Sequence, residues 1–283
     1  MRLLADRGLG RRTLIMGVLN VTPDSFSDGG TYFNPAIAVA RAFEMLDQGA
    51  DILDVGGEST RPATFGDNAP LDAREELRRV APVIEAVHAK RPDAIISVDT
   101  YKAVVAKAAV DAGASIVNDV SGLVYDPEMA GVVAQSGAGY VLMHILGTPR
   151  NIPANPVYAD VIADIHAFFV SRIEFALANG IAREQLILDP GLGFGKTAAH
   201  NFEIVRRLRE LTDFGLPILS APSRKAFIGK ALGGVPADQR VEGTAAVVAL
   251  SIAGGADIVR VHDVAQMVRV ARVADAVVRG WAD

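Results

Sequence analysis

Short apolar runs alternate with longer amphipathic stretches along the whole chain. The runs cover residues 14–19, 52–55, 95–98, 115–117, 140–143, 186–188, 217–219 and 257–259. Each is continuous, not alternating, which is the pattern of a strand covered on both faces. Between them, apolar residues recur at helical spacing over 36–48, 73–89, 102–112, 127–135, 158–179, 201–211, 242–253 and 264–279. Glycine follows several of these stretches, at Gly49, Gly113, Gly137, Gly180, Gly215 and Gly254, where a left-handed residue would end a helix. Eight strand–helix units fit either a doubly wound sheet or a closed barrel. Their number and the length of 283 residues favour a (β/α)₈ TIM barrel, one domain spanning 1–283.

The polar residues favour the barrel further. Nearly every apolar run ends in a polar or glycine-rich element: Asn20, Gly56-Gly57-Glu58, Asp99, Asn118-Asp119, His144, Asp189, Ser220 with Ser223, and Arg260 with His262. In a barrel all strand ends converge on one rim, where the loops build a site. Helix capping would explain one or two of these polar positions, but not eight.

Composition narrows the class. Hydrophobic residues make up 50% of the chain, enough for a large core, while aromatics are only 6%. The formal charge of -5 provides no broad cationic surface, so a nucleic-acid partner is not expected. The chain has no cysteine, which excludes disulfides and thiolate metal sites and fits a reducing cytoplasm. No apolar stretch reaches membrane-spanning length, and the first residues do not resemble a secretory leader. The expectation is a cytoplasmic enzyme with no membrane partner.

Several loops carry candidate chemistry. The first, Asn20-Val21-Thr22-Pro23-Asp24-Ser25-Phe26, is long and polar and could be a lid or an ordinary turn. The second, Gly56-Gly57-Glu58-Ser59-Thr60-Arg61-Pro62, allows close backbone approach, and Arg61 could clamp an anion. Asp99 and Asp189 end apolar runs and could face one pocket; with Asn118 they offer acceptors and donors to an aminopyrimidine edge. Gly193-Phe194-Gly195-Lys196-Thr197 ends like a nucleotide-binding P-loop. However, the first glycine of that motif would fall at Pro190, so it reads as a substrate loop. Lys225 after the seventh run suits a phosphate or a ring carbonyl. Arg260 and His262, two apart on one strand, should point the same way, toward an anion. His144 reads as structural, and no zinc-type histidine motif is present.

Taken together and in order, these segments resemble the dihydropteroate synthase family over almost the whole chain. The matched motifs are Met16-Gly17-Val18-Leu19-Asn20 through Gly30, Asp54-Val55-Gly56-Gly57-Glu58-Ser59-Thr60-Arg61-Pro62, and Ser97-Val98-Asp99-Thr100. Asn118-Asp119-Val120, Met143-His144, residues 189–196, Ser223-Arg224-Lys225 and Arg260-Val261-His262-Asp263 complete the set. The resemblance implies substrates: a 7,8-dihydropterin carrying a hydroxymethyl pyrophosphate, and p-aminobenzoate, joined for folate synthesis by a sulfonamide-targeted enzyme. It implies that Asp99, Asn118, Met143, Asp189 and Lys225 hold the pterin. Asn20, Arg260 and His262 would meet the pyrophosphate, with Mg²⁺ on Asn20 and Asp24. Thr60, Arg61, Pro62, Phe194 and Ser223 would shape the p-aminobenzoate side, and the catalytic group would be Asp99, Lys225, Arg260 and His262. A homodimer is also implied.

The chemistry is coherent with those residues. A methylene losing pyrophosphate gains carbocation character that the ring spreads, so anionic groups belong near the ring and cations near the leaving group. Two departures from the family pattern stand out: Ala221 before Pro222, and Ala63 after Pro62, both in positions where backbone freedom bears on the p-aminobenzoate pocket. The rival readings are a methyltetrahydrofolate-dependent methyltransferase, which should lack the 20–30 loop and the Ser-Arg-Lys element, and a pterin-binding homologue without turnover.

Overall fold

A computed structural model describes residues 2–22, 34–58, 71–148 and 151–281. Eight strands form one parallel sheet: β1 (Leu14–Asn20), β2 (Ile52–Gly56), β3 (Ile95–Asp99), β4 (Ile116–Asp119), β5 (Gly139–Met143), β6 (Leu186–Asp189), β7 (Leu219–Ser220) and β8 (Ile258–Val261). Their order is β6-β5-β4-β3-β2-β1-β8-β7, and a parallel bridge from Leu188 to Ile218 joins the two ends, so the sheet closes into a barrel. The expected (β/α)₈ architecture is therefore the one the chain adopts.

Ten helices accompany the strands among the described residues. They are α1 (Arg2–Asp6), α2 (Pro35–Asp47), α3 (Ala73–Lys90), α4 (Ala103–Asp111), α5 (Met129–Ser136), α6 (Val161–Ala178), α7 (Ala198–Arg206), α8 (Ala226–Ala231), α9 (Val241–Ala253) and α10 (Val264–Arg279). Their starts follow local chemistry. Asn34, Asp72 and Asp160 each accept a backbone N–H of the first turn, and Thr197 and His200 cap α7 reciprocally. Such caps are worth about 1 kcal/mol each.

Two short helices escape the periodicity reading. α1 and α8 span five and six residues, too little chain to show a period. The stretch after β6 also differs from expectation: α7 begins at Ala198 and passes into a 3₁₀ segment over Leu208–Phe214, not one helix over 201–211. Five of the six expected C-terminal glycines are left-handed; Gly254 instead keeps helical dihedrals (φ -78°), and the left-handed turn falls on Gly255 (φ 100°).

Alternation along the strands divides the core in two. The outward set packs against the helices, with Ile15, Leu53, Ile96, Val117, Leu142, Leu188 and Val259 buried there. The inward set fills the barrel with Leu14, Met16, Ile52, Ile95, Ile116, Val141, Ile187, Leu219 and Ile258, and Leu4 of α1 packs with this set. Each such side chain contributes roughly 1.5–3 kcal/mol through burial. Toward the C-terminal ends of the strands the same inward positions turn polar: Asp54, Ser97, Asp99, Asn118 and Asp189 are all buried.

Candidate active site

Register places the polar side chains at one level. Asn20 pairs with Gly56, Gly56 with Asp99, and Asp99 with Asn118, while Met143 pairs with Asp189 on the far side. Arg260 enters from β8 in register with Met16, and its length carries the guanidinium across to the acids. Its Nε donates to Asp54 Oδ2 at 2.5 Å and its Nη2 to Asp99 Oδ2 at 2.6 Å. Asn118 Nδ2 donates to the same Asp54 oxygen at 3.0 Å. Gly56 makes room for this: a Cβ there would stand 3.3 Å from the Asp99 Cβ.

Opposite this cluster lies a second one. Lys225 Nζ donates to Leu192 O and stands 4.2 Å from the centre of the Phe194 ring, a cation–π contact. A side chain at Gly193 would strike the Lys225 stem at 2.7 Å, and its left-handed φ of +82° suits glycine alone. Asp189 Oδ1 accepts the Gly191 N–H at 2.7 Å, which turns the chain sharply at the strand end. Ser223 Oγ lies 2.9 Å from His262 Nδ1 and accepts the His262 backbone N–H at 3.1 Å, tying the ends of β7 and β8 together. Arg224, next in the Ser-Arg-Lys element, faces away: it holds φ at 58° and forms a two-bond ion pair with Asp263.

Burial sets the electrostatics. It raises the Asp99 carboxyl to about 7; Arg260 opposes the rise, while Asp54, Glu76 and Asp119 add to it. Burial also raises Asp189, against the Gly191 N–H and the nearby Lys225 and Lys196. It lowers Lys225 to about 8 despite the pull of Asp189 and Asp99. The mouth thus pairs acids with cations in both clusters, and Asp99 and Lys225 are both shifted toward neutrality. Perturbed groups of this kind gather at functional sites.

The structure brings Asp99, Asn118, Met143, Asp189, Phe194, Ser223, Lys225, Arg260 and His262 to this end of the barrel, with Asn20 at the end of β1. Thr60, Arg61, Pro62, Ala63 and Asp24 lie outside the described residues. Asp99 does not cap a helix; Thr100 Oγ1 takes the Lys102 N–H that precedes α4. Ala221 is buried with the inner apolar set, and Pro222 O accepts the Lys225 N–H.

Sequence reasoning missed two residues. Asp54 sits inside a motif that was read for its later members, although a lone acid within an apolar strand signals a buried partner. Lys196, which the sequence places in a substrate loop without a role of its own, pins two loops. Its ammonium reaches His144 Nδ1 at 2.9 Å, and Gly191 O and Phe194 O at 3.0 Å each. Burial lowers this lysine to about 7, with Lys225 adding to the shift, and lowers His144 to about 3. His144 serves as an acceptor in the wall, consistent with its structural reading.

Comparison with known proteins adds an independent line. A pterin binding enzyme family model matches residues 16–262, and the chain belongs to that family. Within it, the chain is 46% identical over 270 residues to the dihydropteroate synthase of Synechocystis, covering 95% of this chain and 92% of that one. A Clostridium difficile dihydropteroate synthase solved with pteroic acid superposes with a TM-score of 0.87 at 48% identity, covering 96% of this chain and 99% of its own. A Xanthomonas albilineans dihydropteroate synthase with 4-aminobenzoic acid gives 0.86 at 44% identity, over 94% and 93%.

Proposed function

We propose that this chain catalyses the dihydropteroate synthase reaction. The amine of p-aminobenzoate attacks the methylene of a dihydropterin pyrophosphate, the C–N bond forms as the C–O bond breaks, and pyrophosphate and a proton leave. One observation carries the reading: five strand ends deliver Asp99, Asn118, Asp189, Lys225 and Arg260 to a single mouth, with Arg260 bonded to Asp99 and Lys225 beside Phe194. Full-length relatives of that activity support it.

In this reading Asp99, Asn118 and Asp189 accept from and donate to the aminopyrimidine edge, and Lys225 donates to the ring carbonyl. The carboxylates stabilise positive charge as it spreads over the ring. Met143 and Phe194 cover the apolar faces. Arg260, His262 and Asn20 lie toward the leaving group, and Ser223, Thr60, Arg61 and Pro62 toward p-aminobenzoate. The aniline amine is already nucleophilic, so no residue need act as a general base.

Mg²⁺ belongs to the proposal. Among the described residues no group of three acids or histidines could hold a metal, and Asn20 alone of its expected ligands is described. One amide oxygen fits a cation that takes its other ligands from a pyrophosphate and water. When bound, the ion would neutralise charge growing on the leaving group.

The test is direct. Purified protein should release pyrophosphate only when both substrates and Mg²⁺ are supplied; pterin binding with no pyrophosphate release leaves a binding protein and ends the catalytic reading. We further propose a cytoplasmic homodimer. A groove of about 620 Å³ on the outer face of α7, α8 and α9, lined by Phe202, Leu232 and Leu250, supports a covered face. Light scattering should report twice the chain mass, and a monomer at all concentrations would overturn this. No described helix is long and apolar enough to cross a membrane.

A further inference from the structure

We infer that Asp54 is a positioning residue for the reaction, one that touches no substrate but sets the aim of Arg260 and the polarity of Asn118. The inference rests on the reading of this mouth as a pterin site.

Asp54 is wholly inaccessible to solvent and stands on β2 one inward step below Gly56. A single oxygen, Oδ2, takes both the Arg260 Nε–H at 2.5 Å and the Asn118 amide at 3.0 Å. These partners come from β8 and β4, so one atom ties three strands of the barrel. The guanidinium is planar and its donors are fixed in a fork. With Nε held by Asp54 and Nη2 by Asp99, its orientation is fully determined.

The effect on Asn118 is chemical as well as geometric. An ionised carboxylate only accepts, so the Asn118 NH₂ must face Asp54. The Asn118 carbonyl oxygen is then turned away from Asp54, and the side chain offers an acceptor there. Without the charge at Asp54, either end of the amide could face the ligand. Recognition of a ring N–H by Asn118 thus depends on a residue that lies behind it.

Asp54 also retains unspent charge. Among the described residues its Oδ1 is buried with no partner, and so is Ser97 Oγ, its register neighbour on β3. Such orphaned groups are costly to keep and call for a reason. Here the reason is electrostatic: the charge at Asp54 is one of the influences on Asp99. The groups that face Asp99 are Arg260, Asp54, Glu76, Asp119 and Lys225. Removing the charge at Asp54 takes away a repulsion and leaves Arg260 to Asp99 alone, and both changes favour the Asp99 carboxylate.

The experiment compares wild type, Asp54→Asn and Ser97→Ala. Dihydropterin pyrophosphate affinity is measured by calorimetry, and Asp99 ionisation by carboxyl-carbon NMR, neither of which requires turnover. Asp54→Asn should weaken binding about 10- to 100-fold, the range for a lost hydrogen bond to a charged group. It should also move the Asp99 titration to lower pH. Ser97→Ala should leave both unchanged. Binding within twofold of wild type and an unmoved titration in Asp54→Asn would overturn the inference, even if pyrophosphate release is normal. Should that variant not fold, wild type still decides: the Arg260 Nε–H should give a slowly exchanging ¹⁵N-coupled signal without ligand, and rapid exchange would count against the anchor.

Discussion

The lower and upper halves of the barrel interior are built on the same strands, and their difference is a matter of two to four residues. Ile95 and Asp99 lie on β3, Ile116 and Asn118 on β4, Ile187 and Asp189 on β6, Ile258 and Arg260 on β8. All point inward. The lower members form an apolar plug. The upper members form a buried network of charge in which Arg260 and Asn118 bond Asp54 Oδ2 and Arg260 bonds Asp99, while Asp54 Oδ1 is left over. The plug gains free energy from every side chain removed from water. The network gains little net stability, since burying ions costs about as much as pairing them returns. The barrel therefore places its stability below and its chemistry above, with no linker between them.

That division can be broken in two places. The larger effect is expected from the plug. Ile95→Ala should lower unfolding free energy by roughly 2–5 kcal/mol, because transfer and cavity costs add. Denaturant titration measures this, and pterin affinity of the folded fraction should stay near wild type. A large loss of affinity with little loss of stability would mean that the halves are not separable. A smaller effect is expected above. Lys225→Ala should weaken pterin affinity by about 1.5–3 kcal/mol with the fold retained. In wild type, affinity should also fall as pH rises through about 8, where Lys225 gives up its proton, and the variant should lack that fall. An unchanged dissociation constant across the pH range would remove Lys225 from the site.

The legibility of the sequence follows the same division. The barrel could be read because parallel strands buried on both faces are continuous apolar runs, and all eight runs lie within a residue or two of the observed strands. The seventh, Pro217 to Leu219, shifts toward Ser220 because that strand is only two residues long. Strand-end polar residues such as Asp99, Asn118, Asp189 and Arg260 were visible as interruptions of apolar runs. Asp54 was not, since its role lies in bonds to residues 64 and 206 positions away. Lys196 could be seen but not interpreted, because its partners are backbone carbonyls and a histidine nitrogen brought together by the fold.

The closure of the barrel has one more consequence. Between β6 and β7 the ring is joined by the Leu188–Ile218 bridge and the Leu188 N–H to Pro217 O bond, the sparsest pairing between neighbouring strands, with the two-residue β7–β8 pairing next. Lys225 stands just past β7 and reaches over to Leu192 O, just past β6. The ammonium that faces the pocket is therefore also the latch on the weakest seam of the ring. A ligand that draws the ammonium away from Leu192 takes over this side-chain tie across the seam, while the backbone bridge below it stays closed.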